Sequence, residues 1–238
     1  MSLELTALLL AVAAALATFV GWAIAASRRT WPPQVFGWTM LLSGAAMLAI
    51  SSLNLLPTAW ESGIAEWRVV ALVAAGAAVV IVLRVVADRL EQPKSGKSLQ
   101  RTALIAAVAI GLHNIPEGAA PVGATLVSIQ SGLVVALALG LHNIPEGLAI
   151  SAPVLAGGGS RKRALAFTAV ATGGEIAGAI VAVMFAEVLT PSRAGGLLAF
   201  VAGIMITLSV LELIPTGVKL IRGTPVDSRQ TQDAPLSS

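Results

Sequence analysis

Both histidines of the 238-residue chain lie in an octapeptide, Gly-Leu-His-Asn-Ile-Pro-Glu-Gly, that occurs twice, at residues 111–118 and 140–147. In each copy a Glu follows the His by four residues. This spacing places both side chains on one face of an α-helix, about 6 Å apart. One imidazole nitrogen and one carboxylate from each copy can therefore meet at a single ion. The residues concerned are His113, Glu117, His142 and Glu146.

Three further residues add oxygen donors to this set. Asn114 and Asn143 follow the two histidines directly, so their amide oxygens are candidate secondary ligands, and Glu175 offers a third carboxylate from a later apolar segment. Imidazole with carboxylate suits Zn²⁺, Fe²⁺, Mn²⁺, Co²⁺ or Cd²⁺, whereas Ca²⁺ and Mg²⁺ prefer shells made only of oxygen. The complete set is large enough for two ions, with Glu117 or Glu146 as a bridge between them.

Each copy also contains a proline, Pro116 or Pro145. A proline has no N–H and clashes with the preceding turn, so each is expected to kink its helix and release carbonyls near Leu112 and Leu141. Interrupted helices that present free carbonyls are typical of ion sites inside membranes.

The composition indicates what kind of chain carries these residues. Hydrophobic residues make up 56% of the sequence and charged residues only 11%, and the mean hydropathy is +0.87. A soluble domain has about 25% charged residues, so lipid must be the solvent for most of this surface. The absence of Cys excludes disulfides, thiolate metal sites and cysteine nucleophiles. The net charge of +3 comes from dispersed Lys and Arg, so no nucleic-acid partner is predicted.

Seven apolar runs are long enough to cross about 30 Å of hydrocarbon. They cover residues 5–26, 35–57, 68–87, 102–126, 131–156, 164–188 and 195–217. We therefore predict an all-α integral membrane protein with about seven transmembrane helices. Residues 1–217 form the transmembrane domain, and residues 218–238 form a polar tail that we expect to be disordered.

Basic residues predict the orientation of these helices in the cell membrane. All but two of the 15 Lys and Arg residues lie near the ends of helices one, three, five and seven, and the exceptions are Arg68 and Arg193. By the positive-inside rule, we expect the N-terminus outside and the C-terminal tail in the cytoplasm.

The duplicated octapeptide lies in two consecutive helices, four and five. Consecutive helices joined by a short turn run in opposite directions, so the two copies are predicted to be inverted relative to each other. A fainter echo pairs residues 53–58 in helix two with residues 211–216 in helix seven. Inverted repeats of this kind are a known architecture of membrane transporters.

The charged residues inside helices four, five and six indicate whether the carboxylates there have a structural or a functional role. A carboxylate at the centre of a membrane helix costs about 2.5–3.5 kcal/mol on insertion scales. Helices four, five and six contain no Lys or Arg in their interiors to offset this cost. The compensating positive charge must come from protons or metal ions. We therefore predict a divalent-metal transporter whose partners are metal ions and the lipid bilayer.

Two other functions stay open. A proton-conducting carrier would use the same His and Glu side chains as a proton relay. A membrane-embedded metalloenzyme would need an open metal position and a positioned acid or base, and no HExxH or comparable hydrolase signature occurs. We therefore predict no enzyme activity and no catalytic cofactor.

Four segments resemble the ZIP family of zinc and iron transporters, and within it the broad-specificity bacterial branch. They are His113–Gly118, His142–Gly147, Glu175 and Glu212–Pro215. The resemblance implies metal import into the cytoplasm, a homodimer, and an elevator-like movement of helices one, four, five and six against the rest. It also implies a first metal site of His113, Glu117, His142 and Glu146, and a second of Asn114, Asn143, Glu146 and Glu175, which Glu117 can join.

The chain departs from the family pattern in three respects. The family normally has eight helices, whereas seven are predicted here. Helices two and seven carry Pro57-Thr58 and Pro215-Thr216 near their ends, where many members carry Pro-Glu. The segment between helices three and four lacks the His cluster of many relatives. The missing helix belongs to the scaffold half and contributes none of the expected metal ligands.

Overall fold

The computed structural model describes residues 2–28, 31–90, 114–156 and 159–223. Every regular element in these ranges is a helix. Six helical segments in the described ranges are long and apolar enough to cross a membrane: Leu3–Ser27, Gln34–Glu61, Glu66–Val86, Ile129–Ala152, Arg161–Met184 and Pro191–Ile221. The remaining predicted span, 102–126, is described only from residue 114, and is helical over 114–127. The all-α membrane fold with about seven spans is therefore confirmed.

The helices are α1 Leu3–Leu16, α2 Thr18–Ser27, α3 Pro33–Ile50, α4 Leu56–Glu61, α5 Glu66–Leu90, α6 114–127, α7 Ile129–Ala156, α8 Arg161–Met184, α9 Pro191–Leu208 and α10 Ile214–Ile221. Two π-helical turns, Ser51–Leu55 and Ser209–Leu213, connect α3 to α4 and α9 to α10, and a 3-10 turn covers Ala186–Val188. Helix one is divided at Ala17 into α1 and α2, which the sequence did not predict. Residues 218–221 of the predicted tail belong to α10, and the rest of the tail from residue 224 lies outside the described residues.

Each π-helical turn directly precedes a helix that carries a proline in its first turn, Pro57 in α4 and Pro215 in α10. A proline lacks the N–H of a regular helix and crowds the turn before it, and a wider turn relieves that crowding. The residue before each proline donates its N–H five residues back, to the carbonyl of Ser51 or of Ser209. The weak sequence echo between helices two and seven therefore encodes the same local structure in both.

The connection between α6 and α7 fixes the relative direction of the two octapeptides. Ser128 alone joins the helices, and its Oγ accepts a hydrogen bond from the Ser131 N–H at 3.0 Å, which caps α7. Gly132 lies so close to Thr125 that a Cβ at position 132 would collide with the Thr125 side chain. A turn this tight forces the helices to run antiparallel, so the copies are inverted as predicted.

Helix α7 lies at the centre of the bundle, where it contacts α1, α2, α3 and α8, while α5 packs along α9 and α10 along α3. The largest buried apolar side chains form one cluster with smaller neighbours from α6 and α7: Met47, Leu55, Leu139, Leu198 and Met205. On α7 this cluster includes Val135 and Leu139, between the α6–α7 turn and the octapeptide. The space between that turn and the predicted site is therefore filled with apolar side chains.

Candidate metal centre

Six of the seven predicted ligand residues lie on three helices of the bundle. They are Asn114 and Glu117 on α6, His142, Asn143 and Glu146 on α7, and Glu175 on α8. All six are buried except Glu146, which is partly exposed. The seventh residue, His113, lies outside the described residues.

Glu117, His142 and Glu146 each bring one ligand atom to a common point, and these atoms all lie within 4.8 Å of one another. The Nε2 atom of His142 is 3.6 Å from Glu117 Oε1 and 3.9 Å from Glu146 Oε2. The i,i+4 spacing stacks His142 and Glu146 on one face of α7, and the antiparallel α6 brings Glu117 opposite them. One nitrogen and two carboxylate oxygens in this arrangement are a donor set that Zn²⁺ and related ions accept.

The two asparagines connect this cluster to the other carboxylates. Asn114 Nδ2 donates to Glu146 Oε1 at 2.9 Å. Asn143 Nδ2 donates to both carboxylate oxygens of Glu175, at 2.9 and 3.0 Å. Each amide therefore holds a carboxylate of another helix in place, and Glu175 becomes part of one polar network with the α7 octapeptide.

Several buried polar atoms of the centre have no hydrogen-bond partner among the described residues. They include Oδ1 of Asn114, Oδ1 of Asn143 and both ring nitrogens of His142. A buried polar group without a partner costs about 1–3 kcal/mol. The amide oxygens therefore have lone pairs available to a cation, and a neutral His142 offers the lone pair of one of its two ring nitrogens.

The centre concentrates negative charge. Glu175 lies within electrostatic reach of both Glu117 and Glu146. The described residues of α6 and α7 include no Lys or Arg, and in α8 the last basic residue is Arg163, about three turns before Glu175. Three carboxylates in a region of low dielectric need counter-charges. The arrangement therefore favours cations, whether metal ions or protons.

Helix one contributes to the centre in a way that sequence reasoning missed. The Ala14 carbonyl, in the last turn of α1, accepts hydrogen bonds from the Ala17 N–H at 3.1 Å and from Asn143 Nδ2 at 2.9 Å. The division of the helix at Ala17 lies in an alanine-rich run without Pro or Gly, so no residue type marks it in the sequence. Ser43 of α3, whose backbone faces the His142 side chain, was also not predicted.

Helix α7 stays helical through Pro145, from Ile129 to Ala156, so this proline does not end the helix. Pro145 has no N–H to donate to the Leu141 carbonyl, which therefore lacks its regular helical partner. The carbonyl expected to be released near Leu112 lies outside the described residues.

Two further polar residues lie near helix ends. Glu212 is exposed and lies 3.8 Å from Arg84 Nε, so it forms a surface ion pair. Asn54, in the first π-helical turn, is partly buried, and its Oδ1 has no hydrogen-bond partner among the described residues.

Access to the centre differs between its two sides. The apolar cluster that includes Leu139 and Met47 blocks the route from the α6–α7 turn. On the other side, the Glu146 side chain is 13% exposed, whereas the His142 and Glu117 side chains are each 1% exposed. Apolar side chains therefore lie between the centre and the turn, and Glu146 is the most accessible of these three ligands.

Comparison with known proteins agrees with this geometry. The profile of the family described as ZIP Zinc transporter matches residues 88–222. The chain is similar to the zinc transporter ZupT of Akkermansia muciniphila, with 36% identity over 89% of this chain and 87% of that protein. It is also similar to ZupT of Nitratidesulfovibrio vulgaris, with 35% identity over 85% of this chain and 84% of that protein. ZupT of Salmonella heidelberg is 32% identical over 89% of this chain and 86% of that protein. A profile match over more than half of the chain, with relatives this similar over most of their length, shows that the chain belongs to the ZIP family.

Proposed function

We propose that this chain transports divalent metal ions, principally Zn²⁺, across the cell membrane into the cytoplasm. The observation that carries the proposal is the buried cluster of Glu117, His142 and Glu146, whose ligand atoms lie within 4.8 Å of one another. The three relatives compared above are named zinc transporters, and Fe²⁺, Mn²⁺, Co²⁺ and Cd²⁺ accept the same donor types. The metal is the substrate, so the chain needs no catalytic cofactor and is not an enzyme.

His113 is the fourth ligand of the proposed primary site. It occupies the position in the first octapeptide that His142 occupies in the second. Two imidazoles and two carboxylates make a four-ligand set, the number that Zn²⁺ prefers.

A second ion binds beside the first, between the octapeptides and α8. Glu175 supplies its charge, Asn114 and Asn143 supply neutral amide oxygens, and Glu146 or Glu117 bridges the two ions. The network between Asn143 and Glu175, together with the unpartnered amide oxygens, supports this proposal. Because two of its ligands are neutral, we expect the second site to bind more weakly than the first.

Import into the cytoplasm is the direction that the resemblance to the ZIP family implies, and the basic residues predict how the helices are oriented for it. With the N-terminus outside and the C-terminus in the cytoplasm, the α6–α7 turn faces outward. The apolar cluster then closes the outer side, and Glu146 faces the route to the cytoplasm. The conformation corresponds to the stage that releases the ion inward. An elevator-like movement of α1, α2, α6, α7 and α8 against the remaining helices would open the outer side.

We also propose that the chain forms a homodimer through an exposed face of α3 and the π-helical turn that follows it. Trp38, Leu42 and Leu53 on this face are 53%, 59% and 78% exposed. When helix two is aligned with helix seven through their π-helical turns, this face of α3 corresponds to the face of α9 that packs against α5. A second copy would cover it, and cross-linking of Leu42→Cys pairs in membranes would detect that contact. Failure to cross-link from this position would exclude α3 as the interface.

Zn²⁺ uptake by proteoliposomes, with and without a pH gradient, tests the transport proposal. We expect the parent to accumulate Zn²⁺, and His113→Ala and Glu146→Ala to abolish uptake while still inserting into the membrane. Glu212→Gln, which alters an exposed carboxylate, is the matched control and should transport normally. Normal uptake by either site variant would refute the ligand assignment. Proton flux without metal flux would support the proton carrier instead.

A further inference from the structure

Helix α8 approaches α6 through two reciprocal glycine contacts. Gly118 of α6 lies against the Glu175 carbonyl, and Gly178 of α8 lies against the Ile115 carbonyl. At either glycine a Cβ would collide with the carbonyl oxygen of the other helix. The two backbones are therefore held in one register, with Glu175 beside the octapeptide of α6.

Helix one approaches α7 in the same way. Gly147 lies against the Thr18 carbonyl, and Gly21 lies against the Ile144 carbonyl, again with no room for a Cβ. Within the octapeptide, Ile144 and Gly147 of α7 correspond to the isoleucine and second glycine of α6. Helix one therefore packs against α7 in the same way that α8 packs against α6. In this alignment Thr18 occupies the position on helix one that Glu175 occupies on α8.

Helices two and seven, which lie outside these two helix pairs, support this alignment independently. A Cβ at Gly37 of α3 would lie 2.7 Å from the Gly217 carbonyl oxygen, and a Cβ at Gly195 of α9 would lie 3.0 Å from the Ala59 carbonyl oxygen. Gly217 and Ala59 each follow the proline after a π-helical turn by two residues. Helix two (α3 and α4) and helix seven (α9 and α10) therefore make the same two contacts: the first half of each helix packs against the second half of the other.

The two paired positions carry different chemistry. Glu175 is a buried carboxylate that accepts from Asn143. Thr18 is also fully buried, but its Oγ1 donates to the Ala15 carbonyl of its own helix at 2.8 Å. Asn114 corresponds to Asn143, but Thr18 offers Asn114 no carboxylate as an acceptor. Asn114 donates to Glu146 instead. The centre is therefore charged on the α8 side and neutral on the helix-one side.

We propose that Thr18 is a specificity-determining residue: it occupies the inverted-repeat counterpart of Glu175, and its neutral side chain confines the second cation to the α8 side of the centre. The proposal rests on the proposed metal transport and deepens it. It predicts that a residue with a metal-binding side chain, placed at position 18, becomes a ligand of the centre.

A carboxylate exchange tests this prediction. Glu175→Thr should weaken Zn²⁺ binding at the second site by at least roughly 10–100-fold, because loss of a group that only supports a ligand already has an effect of that size. Thr18→Glu in the Glu175→Thr background should restore a second bound ion, whereas Thr18→Gln in that background should not. Metal content of purified protein and Zn²⁺ titration measure both effects. A folded double variant that binds no more metal than Glu175→Thr would overturn the proposal.

A smaller substitution keeps the proposal testable if the glutamate disturbs folding. Cys is close to Thr in size and supplies a soft thiolate, which favours Cd²⁺. Thr18→Cys should therefore tighten Cd²⁺ binding by about tenfold or more relative to Thr207→Cys. Thr207 is a matched control because its hydroxyl also donates within its own helix, and that helix, α9, carries none of the proposed ligands. Equal Cd²⁺ affinity of the two variants would overturn the proposal.

These outcomes separate the inference from the function beneath it. If the parent protein neither binds nor transports metal, the proposed function fails. If the parent binds and transports metal but no change at position 18 alters ion number or Cd²⁺ affinity, only the role of Thr18 fails.

Discussion

Asn143→Leu should destabilise the metal-free protein strongly and the Zn²⁺-bound protein much less. The substitution keeps the side-chain size but removes the donor to Glu175 and to the Ala14 carbonyl. With the Glu175 carboxylate ionised, a hydrogen bond to it contributes about 1.5–3 kcal/mol, and a neutral hydrogen bond between membrane helices contributes about 0.6 kcal/mol. The expected loss is therefore about 2–4 kcal/mol. At roughly 2–4 °C per kcal/mol for a chain of this size, Tm should fall by roughly 4–16 °C.

Tryptophan fluorescence in detergent provides the assay, because the chain has five Trp and no Cys for thiol dyes. Added Zn²⁺ should recover part of the lost Tm, because the ligands that remain still bind an ion, which offsets the Glu175 charge that Asn143 no longer contacts. Asn54→Leu is the matched control: it makes the same change at a side chain whose Oδ1 has no partner among the described residues. We expect its Tm to fall by a few degrees at most.

Equal shifts for Asn143→Leu and Asn54→Leu would refute the reasoning, because the network around Glu175 would then contribute nothing measurable. A shift of the expected size that Zn²⁺ leaves unchanged would show that the network is structural and separate from the ion.

Three further predictions concern the site, the packing and the topology. Glu175→Gln should retain one metal ion at the primary site but alter transport rate or selectivity, and metal content with uptake kinetics would check this; a variant identical to the parent in both would exclude Glu175 as a ligand. Gly147→Val should reduce the yield of folded protein, because a Cβ at this position collides with the Thr18 carbonyl; Gly173→Val, where a Cβ meets nothing within 4 Å, is its control in size-exclusion chromatography. Cysteines placed at residues 94, 162 and 238 should be protected from an impermeant thiol reagent added outside, and labelling of any of them would overturn the orientation.

Local sequence patterns predicted the fold class and the core of the centre. In lipid, the backbone must satisfy its own hydrogen bonds, so a long apolar run with few charges can only be a spanning helix. The pairing of His142 with Glu146 follows from helical periodicity alone. The inversion of the octapeptides follows from the short turn at Ser128. Each of these depends on residues close together in the chain.

Other features depend on which helices become neighbours. Asn143 reaches Glu175 across 32 residues of sequence and the Ala14 carbonyl across 129, and no local pattern encodes either contact. Helix α7 stays helical through Pro145, whereas helix one divides at Ala17 without a marker in the sequence. A lone buried Thr such as Thr18 has no chemical signature, so the sequence does not mark it as part of the centre. Its significance comes from glycine contacts that set two helix pairs in the same register, and only the folded chain brings those backbones together.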